Sequence, residues 1–367
     1  MSPTLRAPSS DATLPWRVVD PDAQRGRGIV FPSVGEYPIY DANAYDVMMA
    51  DVVRVAAFKR GLEAAVRPGA TVVELGCGGL APWARLARDL GAGRVIAVES
   101  LDHAREAARL AIASDNSTGC PIELCSPADY RAYTGPVDVL VAEVVGTVGG
   151  SEGGGAYIGA EVNRIANPDL VVLPGGWASE VRGYSFQRAA AGRRPGFPPA
   201  AEPYLRKLAA LEGTYTDPRL CVAGPHVASG ILTAARSFEI GEFGGTTGAV
   251  HTNDVVLDVI ADGLLDSLLL SVRVHVGPAL IDTLAQETSW YPVVVPFASP
   301  VPVTAGDVLT VDVTSAPTDH PECPDYTFSW KLHGSSEGVA GWCELPWRGA
   351  VLGGTPLHRE LLETGLP

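Results

Sequence analysis

The sequence predicts an α/β region built on a parallel sheet, followed by an all-β region. Three observations carry this. Up to about residue 175, short apolar runs bounded by turn residues alternate with helix-length segments, as strands buried on both faces of a sheet do. Beyond it, short alternating runs follow one another at regular intervals, the texture of a β-sandwich or barrel. A length of 367 residues suits two domains. The expected divisions are an amino-terminal segment 1–36, an α/β domain 37–175 and a β domain 176–367.

Composition narrows the function. The chain is 46% hydrophobic and 19% charged, enough apolar material for a large core and not a disordered chain. A net charge of −15 argues against a nucleic-acid partner, which needs a basic face, and suits a cationic substrate. The opening residues have no apolar stretch, so no signal peptide is expected. The run 255–276 is interrupted by Asp258, Asp262, Asp266 and Arg273 and does not suit a membrane span. Six cysteines lack C-x-x-C spacing and seven histidines form no H-x-x-x-H pair. Neither a metal site nor a disulfide framework is expected, and a reducing, cytoplasmic setting fits.

Residues 1–36 are aperiodic and are expected to form an irregular cover or a mobile arm. Over 44–66, Met48, Val52, Val55, Phe58 and Leu62 recur at helical spacing, and Arg67-Pro68-Gly69 ends the helix. Asp51 and Arg54 lie on one side of it, where a surface ion pair is the plain alternative to a functional role. A strand at 72–75 then runs into Gly76-Cys77-Gly78-Gly79 and a helix at 81–90. Glycines there let a ligand approach the backbone closely. The next strand, R-V-I-A-V-E, ends in Glu99, placed to hold both hydroxyls of a ribose. The turn lacks full G-x-G-x-x-G spacing, and this Rossmann-like pattern fits S-adenosylmethionine better than a dinucleotide. A helix at 102–114 and a strand at 122–125 lead to Asp129, which could reach an adenine amino group or simply cap a helix.

The stretch V-D-V-L-V-A-E-V-V-G-T-V-G-G-S-E, residues 137–152, is the centre of the functional reading. A buried strand at 137–142 runs into a glycine-rich loop with Glu143 and Glu152 at its ends. Ligands of parallel sheets bind beyond the carboxyl ends of the strands. Glutamates in such a loop are commonly just solvated. Folded side by side, though, two carboxylates repel until a cation joins them. A planar guanidinium with several N–H donors is the natural guest. A helix at 155–165 and L-V-V-L-P-G-G complete the sheet. The β-rich runs expected afterwards are 177–186, 230–240, 254–260, 267–276, 293–296, 308–313 and 326–332, with a helical excursion between the first two.

Taken together, these features resemble the protein arginine methyltransferases over residues 37–343. The resemblance rests on M-x-x-D-x-x-R in the first helix, E-L-G-C-G, V-I-A-V-E, two glutamates nine residues apart, and a β region with a helical excursion. It implies a Rossmann-like methyltransferase domain, a β-barrel and a helical dimerisation arm at about 190–225, hence a homodimer. It implies that Arg54 meets the methionine carboxylate of S-adenosylmethionine and that Glu74, Gly76, Cys77 and Gly78 line the cofactor. Glu99 with Ser100 would hold its ribose, Asp129 would approach the adenine, and Glu143 would border both ligands. Glu143 and Glu152 would clamp the guanidine, with Met48 beside the reacting nitrogen and Asp51 in support. Tyr40, Val145, Ser289 and Trp290 would line the substrate channel.

Three departures accompany the resemblance. The family's Trp-Met-Gly-Tyr after the first glutamate is here Val144-Val145-Gly146-Thr147. Its Thr-His-Trp is Thr288-Ser289-Trp290, so a serine stands where a histidine would meet Asp51, removing a possible proton relay. Leu80 replaces the third glycine of the cofactor loop. The chain also resembles the bacterial enzymes that methylate free L-arginine at Nω in the nitrosourea (streptozotocin) pathway. That implies a small guanidine substrate, with Arg-Gly-rich protein segments as the alternative.

Overall fold

The computed structural model describes residues 30–33, 45, 48–189, 219–222, 228–316, 324–334 and 336–342. Tyr40 and most of the expected arm, 190–218 and 223–227, lie outside the described residues. Within the amino-terminal segment, strand β1 (Val30–Ser33) stands where an irregular cover was expected.

The single helix expected over 44–66 is interrupted. Residues 48–50 are helical, Asp51 is extended, and α1 runs from Val52–Ala65. Asp51 breaks the periodic pattern because its short carboxylate accepts the Arg54 backbone N–H at 3.0 Å and caps α1.

Strands β2 (Thr71–Leu75), β3 (Arg94–Val98), β4 (Ile122–Cys125), β5 (Val139–Ala142) and β6 (Val171–Leu173) form one parallel sheet in the order β4-β3-β2-β5-β6. Helices α2 (Pro82–Asp89), α3 (Asp102–Ala113), the short α4 (Pro127–Tyr130) and α5 (Gly154–Ile165) connect them. The order reverses between β2 and β5, and a crevice opens at such a switch point. Gly76, Glu99 and Glu143 each follow the carboxyl end of one of the three central strands, β2, β3 and β5.

The chain leaves this sheet at Leu173 and enters an antiparallel one at Gly176. Strands β7 (Gly176–Tyr184), β8 (Arg219–Val222), β9 (Arg236–Gly244) and β10 (Thr247–Thr252) join β12 (Gly263–Val276), β13 (Ala279–Asp282) and β14 (Val293–Val303) in a sheet that also takes in β1. A second sheet holds β11 (Val255–Asp258), β15 (Val308–Ala316), β16 (Asp325–Leu332) and β17 (Ser336–Trp342). The two sheets meet where β14 faces β17, β9 faces β11 and β10 faces β15, giving a barrel-like shell. Its core holds Phe238, Phe297, Phe328 and Trp330, with Phe297 stacked on Trp330 at 4.3 Å. A four-residue helix, α6 (Phe186–Ala189), follows β7.

Within the expected arm, residues 219–222 are strand β8, paired with β1 and β14, rather than helix. The run expected at 230–240 begins as strand only at Arg236. Strands β10, β13 and β17 were not expected. T-G-A-V-H-T and S-E-G-V-A-G-W carry glycine and polar residues of weak strand preference, and it is pairing with neighbours that makes them strands.

The two regions share a core. Val272, Val274, Val276, Ile281 and Trp290 of the antiparallel region pack with Phe58, Leu62 and the parallel strands. α1 crosses this seam at Gly61, where an added Cβ would lie 3.0 Å from Val276 Cγ1. None of the described helices is long and apolar enough to cross a membrane.

Candidate active site

The floor of the crevice is the turn after β2. Gly76 (φ 66°) and Gly78 (φ 60°) are left-handed, a conformation that favours glycine. Among the described residues a Cβ on Gly76 would find only Val144 Cγ2, at 3.8 Å, so they leave the space over this glycine open. Cys77 is buried, and its N–H donates to Val98 O at 3.0 Å, tying the turn to β3. Glu99 accepts N–H bonds from Gly78 and Leu101, each at 2.8 Å, and is buried. Ser100 is exposed, and its hydroxyl donates to Glu99 Oε1 at 3.4 Å. Asp129 is also exposed. Its carboxylate accepts the Ser126 hydroxyl at 2.7 Å, while Ser126 is the cap of α4, its oxygen accepting the Asp129 N–H at 3.2 Å.

Glu74 is engaged elsewhere than at the open face of the turn. Its carboxyl oxygens accept the Trp83 and Ala84 N–H groups at 3.4 and 2.7 Å, capping α2 in place of Ala81, which offers no cap. Burial pushes its pKa up to about 8, against those two hydrogen bonds, and the nearby Glu143 and Glu99 push the same way.

Tyr45 joins the site without having been picked out in the sequence. A Cβ on Gly78 would lie 2.5 Å from its ring, so the ring covers the second glycine of the turn. Burial, then Glu99 and Cys77, hold its hydroxyl above the usual phenol range. Its only signal was a place one helical turn before Met48. Met48 itself is half-buried, in the helical piece preceding Asp51.

At the end of β5, Glu143 is held by both oxygens. Arg54 Nε donates to Oε1, and Trp83 Nε1 donates to Oε2 at 2.8 Å. Trp83 was also absent from the sequence expectation. It is buried against Phe58, ring to ring at 5.0 Å. The Arg54 guanidinium lies 4.5 Å from the centre of the Trp290 ring, a cation–π contact. Asp51 and Arg54 are therefore buried partners of the site and not a surface ion pair: Asp51 holds the backbone of Arg54, and Arg54 reaches Glu143.

The serine in place of histidine still meets Asp51. Asp51 Oδ2 accepts the Thr288 hydroxyl at 2.6 Å, the Ser289 N–H at 2.5 Å and the Ser289 hydroxyl at 2.9 Å. These bonds fasten the loop before β14 to the start of α1.

The loop from Glu143 folds back on itself. A Cβ on Gly154 would lie 1.9 Å from the Val144 carbonyl oxygen, so the returning strand of the loop touches its beginning. Glu152 is half-buried in the turn Gly150-Ser151-Glu152-Gly153, closed by Gly153 N–H to Gly150 O at 3.0 Å. Val145, expected along a substrate channel, is buried within the α/β core, because the loop tucks inward after Glu143. Among the described residues no cluster of His, Cys, Asp or Glu could hold a metal ion.

No family model matches the sequence, and no curated protein matches it. Solved structures do match in fold. Arabidopsis thaliana protein arginine methyltransferase 10, in an open conformation, matches with a TM-score of 0.63 at 15% identity, over 84% of this chain and 98% of that one. The Trypanosoma brucei PRMT1 enzyme–prozyme heterotetrameric complex with AdoHcy gives a TM-score of 0.62 at 16% identity, over 82% of this chain and 98% of that one. The shared architecture is the parallel sheet with its helices followed by the barrel-like antiparallel region.

Proposed function

We propose that this chain is an S-adenosylmethionine-dependent N-methyltransferase acting on the guanidino nitrogen of arginine. The observation that carries the proposal is the contact at the end of β5: Glu143 holds a guanidinium already, that of Arg54, in a buried site between two sheets. A carboxylate positioned for that cation is suited to a second one presented by a substrate. The fold it shares with arginine methyltransferase structures supports the same reading.

The residues present fit the cofactor. The open space over Gly76 admits a ligand close to the backbone, Glu99 offers a carboxylate at the end of β3, and Arg54 supplies a cation for a carboxylate. S-adenosylmethionine, when bound, supplies an electrophilic methyl group on a sulfonium. The protein's part is to hold the nucleophile. A guanidinium stays protonated near neutral pH and is a poor nucleophile. Glu143 and Glu152 would accept its N–H groups and steer positive charge onto the nitrogens they touch, leaving the reacting nitrogen richer in electrons. One of the two takes the proton released in the reaction. Arg54 on Oε1 and Trp83 on Oε2 each use one lone pair of Glu143, and each oxygen keeps another for the guest.

The guest in this reading is free L-arginine or a related small guanidine. Small Val144-Val145-Gly146-Thr147 in place of a bulky aromatic run supports it, with Val145, Gly146 and Thr147 buried. The working form would be a homodimer built through residues 190–225. The test is incubation with the cofactor and either L-arginine or an Arg-Gly-rich peptide, read by mass spectrometry. Gain of a methyl group on L-arginine is expected. Gain on the peptide alone would make the substrate a protein, and gain on neither would overturn the proposal.

A further inference from the structure

Glu239 lies on β9 in the antiparallel region, far along the chain from Glu143 and Glu152, and is buried. Among the described residues it takes no hydrogen bond from arginine or lysine. Its carboxyl group accepts instead from four donors on three segments: Gly150 N–H at 2.8 Å, Trp177 Nε1 at 3.0 Å and Ser179 Oγ at 2.9 Å on Oε1, and Tyr326 OH at 2.5 Å on Oε2. Ser179 Oγ in turn accepts the Gly149 N–H at 2.8 Å. Two successive main-chain N–H groups of the Glu143–Glu152 loop thus end on this one carboxyl, directly or through Ser179.

The loop lies against the group with no room to spare. A Cβ on Gly150 would be 2.7 Å from Glu239 Oε2 and 3.0 Å from Tyr326 OH, and one on Gly149 would be 2.1 Å from the Trp177 ring. Glycine at both places lets the main chain reach the buried carboxyl. The Gly150 whose N–H is held also closes, through its carbonyl, the turn that carries Glu152.

From this we propose that Glu239 is a positioning residue for Glu152: a strut from the antiparallel region that fixes the turn presenting the second carboxylate of the guanidine clamp. The inference rests on the proposed reading for its catalytic consequence, not for its geometry. A buried polar group that loses its partner is costly, so removing this acceptor releases the loop.

The test compares Glu239→Leu, Glu239→Gln and the unaltered full-length protein. In Glu239→Gln the amide oxygen can keep the three donors now on Oε1, and the Tyr326 oxygen can accept from the amide nitrogen. Amide hydrogen exchange across residues 146–153 is expected to quicken about tenfold or more in Glu239→Leu. It should stay near the unaltered rate in Glu239→Gln. S-adenosylmethionine affinity by calorimetry should change little, while kcat for arginine methylation falls about a hundredfold in Glu239→Leu and is largely rescued in Glu239→Gln. Unchanged exchange in Glu239→Leu overturns the proposal, as does an equal loss of cofactor affinity and turnover, which would mark a general structural role. If Glu239→Leu fails to fold, Ser179→Ala removes the hydroxyl through which Gly149 reaches the same carboxyl, and unchanged exchange at Gly149 there overturns the proposal equally. Should the unaltered protein methylate no guanidine, the proposed function fails while the exchange comparison still decides the strut.

Discussion

Glu143 and Glu152 stand at the two ends of one loop and are secured in different ways. Glu143 follows a buried strand, and its carboxylate is itself grasped, by Arg54 on one oxygen and Trp83 on the other. Glu152 sits on a turn whose main chain is grasped, at Gly149 and Gly150, by side chains of the antiparallel region. One arrangement fixes a charge. The other fixes the length of backbone from which a charge is presented. The two ends of the loop thus draw their support from different regions of the molecule.

The largest effects should come from the carboxylates. Glu143→Gln and Glu152→Gln are each expected to lower turnover about a thousandfold, with cofactor binding by calorimetry kept. Full activity in Glu152→Gln would leave a clamp of one arm and erase the contrast. Trp83→Phe keeps the stack on Phe58 but removes the N–H to Glu143. It should cost about tenfold to a hundredfold in kcat, and an unaltered kcat would mean that Arg54 alone orients this carboxylate.

Smaller effects concern the frame. Ser289→Ala removes one of the donors on Asp51 and leaves Thr288 and the backbone N–H. A loss of about 1 kcal/mol in stability by denaturant unfolding is expected. A further effect lies in pH dependence. Glu74 has its pKa raised to about 8 in the folded protein, above the ordinary carboxylate range of about 4.3. Its contribution to stability is therefore complete below that ordinary value and is lost as pH rises through about 8. Glu74→Gln should flatten the decline in melting temperature between about pH 5 and pH 9 relative to the unaltered protein. An identical slope in both would place the titration elsewhere.

The sequence made the parallel sheet plain, because short apolar strands, glycine turns and helix periodicity all agree there. Strand 122–125 and the end of α5 fall where they were expected. Arg54, Glu99 and Glu143 also occupy the crevice that their places after the strands and in the first helix implied. What stayed hidden depends on contacts remote in the chain. Nothing near Trp83 marks it as a partner of a residue sixty positions later, and Glu239 looks like one more polar residue on an alternating strand. The short strands β10 and β17 escaped notice for the same reason: a neighbour, not a pattern, makes them strands. Asp51 was legible as a residue of interest but not as a helix break, since the apolar spacing on both sides runs on without a gap.

Gly61 gives the molecule a fulcrum remote from its chemistry. With only a hydrogen there, α1 comes close to Val276: an added carbon would lie 3.0 Å from its Cγ1 and 3.3 Å from its carbonyl oxygen. The same helix carries Asp51 at its head and Arg54 in its first turn. A larger residue at this pivot would press on Val276, so either that neighbour or the helix that presents Arg54 to Glu143 must give way.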